Sequence, residues 1–309
     1  MASYYSNGKL LITGEYLVLD GAKALALPTK FGQRLTLKKI NEPKLVWESY
    51  TDENQLWLQV EFDLPRLRII SETFDSKHDG GNDSLAINLQ NVLLEAKNIN
   101  VEFLENKQGY YAKSNLTFPR NWGLGSSSTL INNVAQWSKV DAFNLQFKTF
   151  GGSAYDIACA QHNSPITYQL KHHKPIVETL NFNPNFKEQL YFVHLNKKQN
   201  SREGIQQYRQ FKGSIDSLTS KITTLTNLIS TCSDLIDFEK IIYEHEQIIA
   251  SIINQKPIQQ QLFSDYFGQI KSLGAWGGDF ILATGNNNTP KYFKKKGFET
   301  VIPYQDLIL

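Results

Sequence analysis

Pro119-Arg120-Asn121-Trp122-Gly123-Leu124-Gly125-Ser126-Ser127-Ser128 is the stretch on which the fold turns. Two glycines one residue apart let the backbone approach a ligand closely, and three hydroxyls follow at once. Behind them Leu130, Ile131, Val134, Ala135 and Trp137 recur at helical spacing. The segment therefore predicts a glycine loop opening onto a helix that begins near residue 128. Open N–H groups and the helix dipole make such an end attractive to an anion, a phosphate first of all. A plain Gly-Ser turn before an ordinary helix is the alternative. Three serines in the first turn weigh against it, because Ser is a mediocre helix former but a good cap and phosphate or metal ligand.

The loop is not a Walker A loop, since no Lys follows Gly125, and not a dinucleotide fingerprint, since Ser128 stands where a third glycine is needed. No H-R-D or D-F-G of the protein kinases is present. The chain has 309 residues, enough for one large or two medium domains. A hydrophobic fraction of 41% supports a packed core, and 20% charged residues are ordinary for a soluble chain. A net charge of +2 gives no reason to expect nucleic-acid or membrane partners. Cys159 and Cys232 are far apart and lack Cys or His companions, so neither a zinc site nor a disulfide framework is expected. Both are expected to pack as small hydrophobes. The start, Met1-Ala2-Ser3-Tyr4-Tyr5, does not read as a signal peptide, and no run suggests a membrane span. The expected compartment is the cytoplasm.

The first hundred residues read as β-rich. Lys9–Ile12, Tyr16–Leu19, Arg34–Lys38, Leu45–Trp47 and Leu56–Val60 read as strands or strand ends, with Asp20-Gly21 as a hairpin-type turn. Leu85–Ala96 has helical spacing, capped by Asp83 or Ser84. Val101–Leu104 and Ser114–Phe118 read as strands leading into the glycine loop. A short helix is expected around Ala154–Ala160. Pro175 and Pro184 mark a loop-rich zone taken as the domain boundary, giving domains 1–180 and 181–309. Leu190–Leu195 reads as a strand, residues 203 to 253 as helical with apolar core stripes, and a further helix as ending near Leu273. Gly274–Asp279 then leads into a buried strand, Phe280–Ala283. Lys294–Lys296 reads as a solvated face, and His172, His173 and His245 as surface histidines.

Four segments in order resemble the motifs of the GHMP small-molecule kinases. Asn7-Gly8-Lys9-Leu10-Leu11-Ile12-Thr13-Gly14-Glu15-Tyr16 is similar to P-G-K-x-x-L-x-G-E-H/Y, and Pro119–Ser128 to P-x-x-x-G-L-G-S-S-A/S. Ser153-Ala154-Tyr155-Asp156-Ile157-Ala158 resembles the segment that carries the family's catalytic Asp. Gly274-Ala275-Trp276-Gly277-Gly278-Asp279 resembles G-A-G-G-G-D. The resemblance implies an α+β, two-domain GHMP kinase fold. Its N-terminal, ATP-binding domain is like ribosomal protein S5 domain 2, its C-terminal domain is ferredoxin-like, and ATP and substrate bind in the cleft between them. Tyr16 after Glu15 and the ending Gly277-Gly278-Asp279 look more like phosphomevalonate kinases than mevalonate kinases. Asn7, Ala154 and Trp276 depart from the pattern. Trp276 replaces a glycine and is expected to narrow the substrate end of the cleft.

The resemblance also assigns roles. Pro119, Gly123, Leu124, Gly125, Ser126, Ser127 and Ser128 would cradle ATP phosphates, and Ser127 would help to hold Mg²⁺. Magnesium needs few protein oxygens besides phosphates and water, so one hydroxyl suffices. Asp156 would act as general base or orient the acceptor oxygen. Lys9 would stand beside Asp156 and neutralise developing charge, while Glu15 supports the first motif. Gly274, Gly277 and Gly278 would approach substrate, and the basic loop with Lys198, Ser201 and Arg202 would grip an anionic one. For most of these residues a structural role is the competing reading: a helix cap for the serines, a dipole partner for Asp156, a solvated side chain for Lys9 and the basic loop, and a tight turn for the glycines. The expected activity is transfer of the γ-phosphoryl of ATP to phosphomevalonate or mevalonate by a monomer or homodimer. A diphosphomevalonate decarboxylase-like reaction and a non-catalytic metabolite-binding relative are the alternatives.

Overall fold

Side chains that alternate between core and solvent force the early chain into long strands. The computed structural model describes residues 1–75, 84–197 and 201–309, without the side chains of Ser84 and residues 201–203. In chain order the strands are β1 (Ala2–Thr13), β2 (Ala24–Ile40), β3 (Lys44–Tyr50), β4 (Leu56–Asp63), β5 (Ile69–Phe74), β6 (Gly109–Leu116), β7 (Ile166–Lys171), β8 (Lys174–Thr179), β9 (Leu190–His194), β10 (Ile270–Ser272), β11 (Phe280–Thr284) and β12 (Val301–Pro303). The helices are α1 (Ser84–Ile99), α2 (Ser126–Ser138), α3 (Ala142–Thr149), α4 (Tyr155–Gln161), α5 (Ser201–Arg209), α6 (Ile215–Ser230), α7 (Leu235–Ile253), α8 (Ile258–Leu262), α9 (Thr289–Lys295) and α10 (Tyr304–Leu307).

The chain forms two units, neither continuous in sequence. The first comprises Met1–Gly8, Phe31–Arg120 and Leu124–Gln161; the second comprises Lys9–Lys30, Asn121–Gly123 and His162–Leu309. In the first unit, the far half of β2 pairs antiparallel with β6, β6 pairs parallel with β3, and β3, β4 and β5 follow antiparallel. One face of this sheet supplies Leu35, Leu37, Trp47, Val60, Phe62 and Ala112 to the core. Helices α1 to α4 cover it with Leu89, Val92, Leu93, Ile131, Val134, Leu145 and Ile157. The strict alternation of β3 is what a half-buried antiparallel strand requires.

In the second unit, Ala24–Ala26 of β2 pair with β7, and β7 pairs with β8. A separate antiparallel sheet runs β10-β11-β9-β12. Its strand β11 is buried at every residue, as the unbroken apolar run predicts. Helices α6 and α7 bury Ile222, Leu225, Ile249 and Ile253 around Tyr16 and Leu17, and a second cluster gathers Val193, Phe263, Tyr266, Ile281 and Phe293. Among the described residues no helix is long and apolar enough to cross a membrane.

Five sequence-based expectations are corrected. Leu17–Asp20 is a short 3₁₀ turn, not a strand, closed by Gly21 in the left-handed region. Val101–Leu104 is a turn after α1. The zone around Pro175 holds β8, where Pro175 is tolerated because β8 ends the sheet order. The segment before Leu273 is strand β10, and the nearest helix ends at Leu262. His245 is not on the surface; it is fully buried in α7. Helix α3, for which no expectation was formed, begins at an Asp141 cap that accepts the Asn144 N–H.

Candidate functional site

Motif two lies where β6 gives way to α2. Arg120–Trp122 makes a 3₁₀ turn, Gly123 and Gly125 take positive φ of 65° and 93°, and α2 starts at Ser126. No side chain among the described residues caps this end, so the first-turn amides are offered to whatever lies beyond the helix. The three serines separate. Ser127 is exposed, whereas Ser128 is buried and donates to the Gly125 carbonyl at 2.9 Å. Ser126 is half-buried, Pro119 is half-buried, and Leu124 is fully buried as a core anchor of the loop.

Buried polar residues hold α2 in the first unit. The Thr129 hydroxyl lies 2.7 Å from Gln33 Oε1, and Gln33 donates to Ser114 Oγ at 2.7 Å. Asn132 donates to Ser6 Oγ, Ser6 donates to Asn133 Oδ1, and Asn133 donates to the Gln33 carbonyl. The helix is thereby tied to β1, β2 and β6, and the sequence reading missed Ser6, Gln33 and Ser114, which hold it. A pair of asparagines on an otherwise apolar helix stripe was the available signal. Asp156 stands in the first turn of α4, half-buried, with Oδ1 3.1 Å from the Ile157 N–H. Helix α4 packs on α2, and Gln161 donates to Asn132 Oδ1. Ala154, which replaces a family glycine, holds φ at +62°, a conformation that costs a non-glycine residue about 1 kcal/mol.

Lys9 and Gly123 belong to the second unit, where Lys9 Nζ donates to the Gly123 carbonyl at 2.7 Å. The Asp279 carboxylate lies against the Gly123 Cα: an added Cβ would come within 2.3–2.7 Å of Asp279. The Asn121 carbonyl lies 3.1 Å from His194 Nε2, and Trp122 meets Phe280 edge-on at 5.5 Å. Burial holds the His194 imidazole below its ordinary pKa, so the neutral ring donates Nε2–H to that carbonyl. In the Gly274–Asp279 motif, Gly274, Trp276, Gly277 and Asp279 all take positive φ, with Gly278 between the last two. Asp279 N–H donates to the Lys197 carbonyl at 2.7 Å, and its carbonyl accepts from Leu195 at 2.8 Å. Lys198 lies outside the described residues. Ser201 and Arg202 open α5, and their side chains lie outside the described residues.

The second unit also holds ionisable side chains that the sequence reading left apart. Glu15, Lys271, His245 and Glu246 are all at most 1% exposed. Lys271 Nζ pairs closely with Glu15 Oε1 and donates to the Ser272 carbonyl. His245 Nε2 accepts the Gly14 N–H at 3.0 Å and lies 3.4 Å from Glu15 Oε2. Glu246 accepts the Ser272 N–H and hydroxyl. Burial raises the Glu15 carboxyl, against the opposing pull of Lys271, and with Lys271 drives His245 well below its usual range. Burial pushes Glu246 up to about 7. The folded state thus keeps a proton on Glu246 that the unfolded chain releases near 4.5. Stability from this group is complete below 4.5 and is lost as pH rises through about 7. Glu246→Gln is expected to abolish that component. Melting temperatures of the two proteins between pH 5 and 8 test it, and parallel curves would exclude the titration.

Among the described residues no group of three or more His, Cys, Asp and Glu is arranged to hold a metal ion. The donor set does fit a phosphate-bridged magnesium, which needs only an exposed hydroxyl such as that of Ser127. No protein-family model matches the sequence, and no curated protein matches it significantly. Solved structures do match. The chain is similar to the mevalonate kinase of Methanococcus jannaschii, with TM-score 0.69, 16% identity and coverage of 96% of this chain and 94% of that one. It is similar to Streptococcus pneumoniae phosphomevalonate kinase in complex with phosphomevalonate and AMPPNP, with TM-score 0.66, 16% identity and 96% coverage of both chains. A mevalonate diphosphate decarboxylase from Legionella pneumophila aligns with TM-score 0.59, 12% identity and coverage of 97% and 99%. At these identities the likeness establishes the fold: this chain has the α+β fold of the GHMP kinases.

Proposed function

We propose that the protein is an ATP-dependent small-molecule kinase whose acceptor is phosphomevalonate or, second, mevalonate. The observation that carries the proposal is the uncapped N-terminus of α2 behind Gly123 and Gly125, with Ser127 exposed on its first turn. Phosphoryl transfer asks for positioning and charge neutralisation rather than covalent chemistry. The α2 amides would hold the phosphates of ATP, and the Ser127 hydroxyl would hold Mg²⁺, which supplies neutralisation of phosphate charge. Lys9 keeps its ammonium at the Gly123 carbonyl; with three donors it can serve a phosphate oxygen as well. Asp156 would take the proton of an alcohol acceptor, or orient a phosphate acceptor that has none to give. Neighbours that act on mevalonate, phosphomevalonate and its diphosphate favour a small, anionic, branched acceptor.

The direct test is ADP release with Mg²⁺ and a panel of mevalonate, phosphomevalonate, homoserine and sugars. Release of CO₂ from diphosphomevalonate would instead support the decarboxylase reading, and tight nucleotide binding without turnover would support the non-catalytic one. Arg202→Ala is expected to raise the acceptor KM at least tenfold, the loss of about one charge-assisted contact, with the ATP KM little changed. Equal changes in both constants would remove Arg202 from the acceptor site.

A further inference from the structure

The turn at Glu15 and the segment running from β10 into Gly274–Asp279 are joined through buried side chains of the second unit. Glu15 and Lys271 form an ion pair with both side chains at 0% exposure. One residue after Glu15 and four after Lys271, the Tyr16 hydroxyl donates to the Ala275 carbonyl at 3.0 Å. The Trp276 ring, 2% exposed, packs in the cluster that holds Tyr16, Tyr208, Ile249 and Ile253. It therefore does not project toward substrate as the sequence suggested. Consecutive residues of α7 grip both sides of the joint: His245 holds the Gly14 N–H, and Glu246 holds Ser272.

This arrangement is poor as a source of stability. A buried ion pair is often no better than two apolar residues of the same size. Glu15 Oε2, His245 Nδ1 and Trp276 Nε1 are buried without a hydrogen-bond partner among the described residues, which adds a further cost. Trp276 and Asp279 hold positive φ without being glycine, strain that persists only where the surroundings impose it. The strained residues and the unpaired Trp276 Nε1 lie on the six-residue loop Gly274–Asp279, and the buried charges stand just before it and across from it. What they secure is its geometry.

We propose that Glu15 and Lys271 are positioning residues: their buried pair, braced by His245 and Glu246, fixes the Gly274–Asp279 loop and through it the phosphoryl acceptor. The last clause rests on the kinase reading above; the fixing of the loop does not.

The test separates the two. In Glu15→Leu or Lys271→Met one charge is left buried alone, and the melting temperature is expected to fall by about 10 °C. In the double variant Glu15→Leu/Lys271→Met it should return to within a few degrees of the parent. Turnover should not return with it. We expect kcat to remain down at least about tenfold, or the acceptor KM up by as much, with the ATP KM within about twofold. Amide exchange across Gly274–Asp279 should be at least about tenfold faster in the double variant, with α1 unchanged. Tyr16→Phe, which removes only the bond to Ala275, should fold normally and quicken exchange at the same loop. A double variant that recovers both melting temperature and turnover, with parental exchange in the loop, overturns the proposal. So does unaltered loop exchange in Tyr16→Phe together with the double variant. If the parent protein phosphorylates none of the acceptors, the kinase reading fails while loop exchange still decides whether the pair positions the loop.

Discussion

Asp156→Asn is expected to lower kcat by roughly 10²- to 10⁴-fold on an alcohol acceptor, the range a positioned general base supplies. Asparagine keeps the shape of the side chain and an oxygen that can accept the Ile157 N–H, the contact Asp156 Oδ1 makes in α4. Circular dichroism and melting temperature should therefore be nearly unchanged, so the loss is chemical. On a phosphate acceptor the attacking oxygen already carries charge. There the expected loss is about tenfold or less, because only orientation is removed. The ratio of the two losses identifies the acceptor type as well as the base. Full kcat on every acceptor would take Asp156 out of the reaction.

Gly123→Ala should be the most damaging single methyl in the second motif, and Gly151→Ala is its control. The two glycines have almost the same φ, 65° and 66°, yet a Cβ at Gly151 meets none of the described residues within 4 Å while one at Gly123 meets the Asp279 carboxylate. Gly151→Ala carries only the conformational penalty, about 1 kcal/mol. Gly123→Ala adds overpacking and should cost about 2–4 kcal/mol in all. Chemical denaturation measures both. Asp279→Gly placed in the Gly123→Ala background should recover most of the loss, since it removes the obstructing carboxylate and relieves a residue at φ +52°. Equal losses for the two alanine variants would show that the Asp279 contact carries no energetic weight.

Much of this architecture is legible in the residues. Alternation places β3, β4 and β6, and helical periodicity places α1, α6 and α7, because each buries one face. Reading failed where tertiary context decides. Tyr16-Leu17-Val18-Leu19 looks like a strand, but between Gly14 and Gly21 it has room only for a 3₁₀ turn under α6. Lys271 was invisible as a core residue because a lysine in an apolar run marks an edge unless its partner is known, and Glu15 lies 256 positions away. His245 was hidden by its acidic neighbours, although the stripe Phe238, Ile242, His245, Glu246, Ile249 already put it on the buried face. The same kind of stripe separates Ser128 from Ser127: Ser128, Ile131, Ala135 and Ser138 face inward together. Residues that share a motif can be singled out from the sequence; those that hold it from other elements cannot, because no local pattern connects them.

The chain passes from one unit to the other after Gly8, Lys30, Arg120, Gly123 and Gln161. A single proteolytic nick therefore cannot release either unit free of the other's segments, and no contiguous gene fragment encodes one alone. The two differ during synthesis: every segment of the first has emerged once Gln161 has, whereas the second draws on both Lys9 and Leu309. Splitting this protein into complementing halves would need a cut that keeps all five passages paired, which confines useful break points to exposed turns inside a unit, such as His172-His173.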